Sequence, residues 1–339
     1  MKMEPGTGGT ELLLDVLEKV GEDHKIEEED IGRVMEHEDI AIWLDAYRGI
    51  DDVSKKFERA LLSVDEGPRS DLGFWEKKID YGLRKAYDNI EQMRESMLEI
   101  KKIDWRSVVE KALEYLPENT ELEPDLIVTV DGFNGGMFLG DTVFLSVVYF
   151  DKTRFREDAF AHEFHHIGAE YWLEKNEFIK EYEQKGGSSY LTRLFKYLVG
   201  EGLANAFCSP GAITRSGGDD EYDQMIKNYE EERDELFARL EGLTEKIVEM
   251  SDEGISEAYE GFTMDKEGAG LPQGHFLSGR MVMAMKESRG VEDEEIIDLV
   301  KHPFDFFKLY NRAAEERNER RFSPELVDEI DELVKNDRR

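Results

Sequence analysis

Residues 161–166, Ala-His-Glu-Phe-His-His, constrain this chain more than any other stretch. Read as a helix, they set His162 and His166 four residues apart on one face, where two imidazole nitrogens can converge on one cation. Glu163 projects beside them, close enough to hold a carboxylate against a water. Two nitrogen ligands, a base and a coordination position left open are the parts of a metal-assisted hydrolytic site. Three of the seven histidines fall within these six residues, which a buried packing helix would leave unexplained.

The surroundings fit. Residues 143–150 (VFLSVVYF) are a nearly continuous apolar run bounded by Gly140-Asp141 and Asp151, and read as a well-buried strand. Residues 127–130 form a second short strand, and Gly132, Gly135, Gly136 and Gly140 punctuate the connection. A helix over residues 153–172 then carries the motif, with Phe160, Phe164, Ile167 and Tyr171 available for packing.

A third ligand lies further on. After Gly186-Gly187-Ser188-Ser189, a loop ending in a helix cap, residues 190–207 predict a helix. Leu194, Leu198, Glu201 and Asn205 share one stripe, so Glu201 faces the core. A carboxylate there is costly unless it is paired or binds a metal. Metal ligation completes a three-ligand site; a salt bridge to an arginine such as Arg193 is the other account. Gly200 and Gly202 let another helix approach closely, and Asn205 is placed to hydrogen-bond a ligating histidine and fix its tautomer.

His162-Glu163-x-x-His166 followed by Gly200-Glu201-Gly202-Leu203-Ala204-Asn205 resembles the gluzincin group of metallopeptidases, of which thermolysin is the familiar member. The Glu-Gly-Leu-Ala phrase is closer to the zinc-dependent peptidase families found in bacterial and archaeal genomes. The resemblance covers roughly residues 125–290. It implies that His162, His166 and Glu201 bind Zn²⁺ and that Glu163 is the catalytic base acting on a peptide or protein substrate. It also implies an edge strand that pairs with the substrate backbone, matched here to the glycine-rich loop 132–140 and the strand 143–150. In this group a later histidine or tyrosine donates to the oxyanion. His275, after Gly274 at the start of a helix, matches that role, with Arg280 as runner-up or as a substrate carboxylate binder. The alternatives are a catalytically silent zinc-binding scaffold and an amidohydrolase for a non-peptide substrate.

The expected fold class is α+β and mostly helical: a small sheet with an edge strand packed on the motif helix, and extra helices at both ends. Residues 1–120 read as amphipathic helices (11–20, 40–47, 57–62, 74–100 and 105–116), residues 121–310 as the catalytic core, and 311–339 as a C-terminal helix. His24 and His37 sit among acidic neighbours and read as solvated, and His302 falls in a turn before Pro303. The stripe Tyr229, Leu236, Leu240, Leu243, Ile247, Met250 within 222–250 reads as packing, with a lid or dimer surface as the alternative. A net charge of −35, from 79 acidic and 44 basic residues, argues against nucleic-acid or anionic-membrane partners. One cysteine, Cys208, excludes an internal disulfide framework. With no membrane-length apolar run and no signal-peptide pattern in residues 1–10, a cytoplasmic location is expected.

Overall fold

Short apolar runs between glycines build a three-stranded mixed sheet, β1 (Asp125–Thr129), β2 (Gly136–Leu139) and β3 (Thr142–Ser146), in the order β1-β3-β2. β3 is the middle strand. It runs parallel to β1, with Leu126 opposite Val143 and Thr129 opposite Ser146, and antiparallel to β2, with Gly136 opposite Leu145. Gly140 turns β2 into β3 with φ +59°, a left-handed conformation open to glycine at little cost. The edge strands are therefore β1 and β2, which corrects the expectation that residues 143–150 form an edge. A continuous apolar run marks a strand whose two faces are both buried, and leaves open which strands flank it. β3 also ends at Ser146: its hydroxyl donates to the carbonyl of Asp131 (2.6 Å) and accepts the N–H of Val148 (3.3 Å). Residues Val147–Tyr149 curl into a 3-10 turn instead of extending the strand.

This computed structural model describes residues 4–21, 26–47, 49–66, 72–132, 136–149, 156–184, 188–214, 221–249, 254–264 and 271–336. Its contacts form two compact units, Met1–Val109 with Glu123–Glu163, and Glu110–Leu122 with Phe164–Arg339. The fold is α+β and mostly helical, and no described helix is long and apolar enough to cross a membrane.

In the first unit, α1 (Gly8–Gly21) buries Leu13, Leu14, Val16 and Leu17, and the Thr10 hydroxyl donates to the carbonyl of Val128 (2.7 Å). Gly6 bridges to Ile127 on the outer side of β1. α2 (Glu38–Ala46) is capped by His37, whose Nδ1 accepts the N–H of Asp39; that histidine is a cap, and His24 lies outside the described residues. α3 (Phe74–Asp88) meets the chain after β1 backbone to backbone, because a Cβ at Gly82 would strike the Val130 carbonyl and one at Gly132 the Lys78 carbonyl. The expected helix 74–100 breaks at Asn89, whose side chain donates to the Lys85 carbonyl (2.9 Å). The motif helix α4 (Arg156–Lys175) contributes residues to both units; Thr153, its expected start, lies outside the described residues.

In the second unit, Ser188 caps α5 (Ser189–Leu203), its hydroxyl accepting the N–H of Leu191 (3.4 Å). Leu191, Leu194, Phe195 and Leu198 on this helix are fully buried, each contributing about 1.5–3 kcal/mol by leaving water. The helices α6 (Ile255–Thr263), α7 (Gln273–Glu287) and α8 (Phe306–Arg317) follow, and Phe195 packs on Phe307 at 4.9 Å between ring centres. Residues 222–250 are two helices, Glu221–Glu231 and Arg233–Val248. Leu236, Leu240, Leu243 and Ile247 are buried within this unit, as the packing account requires, while Met250 lies outside the described residues.

Candidate metal centre

On α4 the apolar stripe settles which side chains remain for chemistry. Phe160 and Phe164 are fully buried and Ile167 nearly so. His165 is fully buried too, and its Nε2 meets the carbonyl of Tyr115 at 3.0 Å. His162, Glu163 and His166 keep partial exposure. Of the three clustered histidines, two are presented together and the third is spent on packing.

Glu201 sits in the last turn of α5, on a four-residue stripe with Arg193, Tyr197 and Asn205. Its Oε1 lies 3.4 Å from His166 Nε2, and the two side chains are 15% and 11% exposed. Ligand atoms of His162, His166 and Glu201 all lie within 4.8 Å of one another. A tetrahedral ion with ligand bonds of about 2.0–2.1 Å holds neighbouring ligand atoms roughly 3.4 Å apart, so the donor types and the His166–Glu201 spacing both fit zinc.

The other oxygen of Glu201 is engaged from behind. Oε2 lies 3.1 Å from His275 Nε2 and 3.4 Å from Asn205 Nδ2, which also donates to the Glu201 carbonyl at 2.8 Å. Asn205 thus holds Glu201, where a contact to a ligating histidine was expected. The helix widens into a π-turn at Ala204–Cys208 as it carries Asn205, a distortion common at functional sites. His275 occupies the first turn of α7, and its Nδ1 lies 2.6 Å from the Tyr197 hydroxyl. Burial, together with the nearby charge of Glu201, pushes that hydroxyl well above the ordinary tyrosine range. Glu170, one turn past His166, is pushed up by burial, against the pull of Lys196.

Glycines set the spacing around Glu201. A Cβ at Gly202 would sit 2.8 Å from Val282 Cγ2 and 3.2 Å from the Ser278 carbonyl, so α7 packs directly on this turn. A Cβ at Gly200 would meet the ring of His166 at an ordinary 3.5 Å. A Cβ at Gly136, the first residue of β2, would lie 2.7 Å from Glu163 Oε1, so the edge strand begins directly against that carboxylate.

Two expected arginine roles find other partners. Arg280 is held by Glu230, with Nε and a terminal nitrogen each 3.3 Å from a carboxylate oxygen. Arg193 lies over the rings of Tyr190 and Tyr259, 5.4 and 4.8 Å from their centres, rather than on Glu201. Tyr197 was not singled out by sequence; the signal that could have found it is the four-residue interval back from Glu201.

Comparison with curated proteins and with solved structures gave no match. A family model described as "Putative zinc dependent peptidase (DUF5700)" matches residues 31–319. Zinc is the cofactor on which that description and the donor group His162, His166 and Glu201 agree, and the chain belongs to this zinc-dependent peptidase family.

Proposed function

We propose that the chain is a zinc metallopeptidase of the gluzincin type, with His162, His166 and Glu201 as the zinc ligands and Glu163 as the general base. The observation that carries this reading is the group of three ligand atoms within 4.8 Å, formed by one helix pair of histidines and a carboxylate from a second helix. When bound, zinc supplies Lewis acidity, which acidifies a water and polarises a carbonyl.

The chain's own residues supply the rest. Glu163 takes the proton of the attacking water at its carboxylate and returns it to the amine nitrogen as the peptide bond breaks. β2 is the edge on which an extended substrate adds as a further strand, its backbone N–H and C=O groups pairing with the peptide. Because β2 begins at Gly136 against Glu163, a peptide paired there passes the base at the strand's first residue. Substrate side chains then choose the register.

Exchange of Glu163 for glutamine tests the assignment. Glu163→Gln keeps zinc and the fold, and peptide-library cleavage falls by about 10²–10⁴, the range that general base catalysis supplies. Cleavage at the wild-type rate in this variant would sink the mechanism. A wild-type enzyme that binds zinc yet cleaves no member of a diverse peptide library would point to the scaffold or the non-peptide amidohydrolase.

A further inference from the structure

We infer that Tyr197, acting through His275, fixes the carboxylate of Glu201 in the orientation that completes the zinc site. Both are then positioning residues for the metal ligand. The inference rests on the proposed ligand set and adds to it a line of polar contacts, Tyr197–His275–Glu201.

The proton count follows from the distances. Glu201 Oε2 is an acceptor, so His275 Nε2, 3.1 Å away, carries the hydrogen. A neutral ring then has a lone pair at Nδ1, and the Tyr197 hydroxyl at 2.6 Å donates to it. The line runs from hydroxyl to imidazole to carboxylate and selects one tautomer of His275. Asn205 Nδ2 adds a second donor to the same oxygen at 3.4 Å. With Oε2 held from behind, Oε1 faces His166 at 3.4 Å.

The line is mounted on two packed helices. Tyr197 and Glu201 stand one turn apart on α5, and His275 stands on the first turn of α7. A Cβ at Gly274 would lie 2.6 Å from both Cε1 and the hydroxyl oxygen of Tyr197, so the residue before His275 leaves the space that the hydroxyl fills. Gly202 holds the same two helices in contact one residue past Glu201. Partners that hydrogen-bond a metal ligand fix its direction, and their loss typically weakens metal binding about 10- to 100-fold.

The test is a zinc competition titration against a chromophoric chelator, on the full chain stripped of metal. The variants are Tyr197→Phe, His275→Ala, His275→Gln, the double Tyr197→Phe/His275→Ala, and Glu201→Gln. His275→Ala should bind zinc about 10- to 100-fold more weakly. Tyr197→Phe should lose affinity in the same direction, and the double variant should be no worse than His275→Ala alone. His275→Gln should recover part of the loss, because its amide N–H can occupy the place of Nε2–H. Melting of the metal-free proteins separates misfolding from ligand orientation. Where Tyr197→Phe melts lower without metal, recovery in His275→Gln decides: recovery supports the line, and none overturns it. Wild-type zinc affinity in Tyr197→Phe, or additive losses in the double variant, also overturns it. Failure of the proposed function looks different: Glu201→Gln would keep tight zinc, and if His275→Ala lost it completely, His275 would itself be a ligand.

Discussion

Asp131, just past β1, and Glu201, at the end of α5, are carboxylates with little exposure and opposite surroundings. Asp131 is 2% exposed and its Oδ2 accepts from the Trp43 indole (3.3 Å) and from the Tyr47 hydroxyl. Burial and the charge of Asp131 together push the Tyr47 hydroxyl far above the ordinary tyrosine range. Its backbone carbonyl takes the Ser146 hydroxyl, so one residue joins α2, the end of β1 and the end of β3. Glu201 meets two imidazoles and an amide instead. An indole and a phenol hydroxyl close off a carboxylate as a structural tie. Imidazoles on one side leave it able to share a cation.

The largest expected effect separates the two sites. Glu201→Gln keeps the shape of the side chain and loses the anion, so zinc affinity should fall by more than the ~100-fold upper end seen when a ligand's supporting partner is lost. In wild type, zinc present at about 100 times its Kd should add about 2.7 kcal/mol of stability, removed by chelator. In Glu201→Gln that chelator-sensitive increment should vanish. Wild-type zinc content in the variant, measured by elemental analysis after dialysis, would break the comparison.

Next in size is the reciprocal exchange. Asp131→Ala deprives the buried Trp43 N–H of its acceptor and the Tyr47 hydroxyl of this one, at about 1–3 kcal/mol for a buried group left unsatisfied. The chain should lose about 2–3 kcal/mol in denaturant unfolding, while zinc stoichiometry stays at wild type. Loss of zinc in Asp131→Ala with the fold intact would show that the two carboxylates are not independent.

The two cases were not equally legible from sequence. Four-residue spacing of His162 and His166 and a carboxylate on the stripe of Leu194 and Leu198 are patterns with a physical cause, and the structure brings all three donors together. Asp131 offers no such pattern, because its donors come from α2, far away in sequence. Tyr197 was hidden for a related reason: a tyrosine on a helix packs as readily as it donates, and only the position of His275 decides. β2 was passed over because Gly136-Met137-Phe138-Leu139 begins with a glycine and follows a glycine-rich loop. That glycine is the feature that lets the strand start against Glu163. The buried run 143–150 was legible as a strand, but apolar continuity does not tell an edge from a centre until its partners are known.

The glycines beside Glu201 sharpen the comparison at a smaller scale. Ala at Gly202 gains about 1 kcal/mol of helix propensity but must displace Val282 and crowd the Ser278 carbonyl, and overpacking costs about 1–3 kcal/mol. A net loss of up to about 2 kcal/mol is expected. Gly200→Ala meets the His166 ring at ordinary contact distance and should be neutral or stabilising by up to about 1 kcal/mol. Thermal melts of the metal-free variants check the pair, and a stabilised Gly202→Ala would contradict the close packing of α5 on α7.

The smallest effect comes from a third carboxylate, in solvent. Glu295 is held down to about 2 by the Arg312 guanidinium, which reaches both of its oxygens at 2.8 Å, with help from the Glu292 N–H. A folded value depressed below the ordinary 4.5 means stability that is present above about 4.5 and lost as pH falls through about 2. Because its side chain is 41% exposed, solvent screening limits the contribution to about 1 kcal/mol or less. Arg312→Gln should therefore cost at most ~1 kcal/mol near neutral pH, shrinking towards nothing near pH ~2 and in ~1 M salt, where the screening length is only ~3 Å. Denaturant unfolding of both proteins across that range measures it. A deficit that held constant into acid, or that high salt left untouched, would mean that Arg312 works through packing and not through the charge of Glu295.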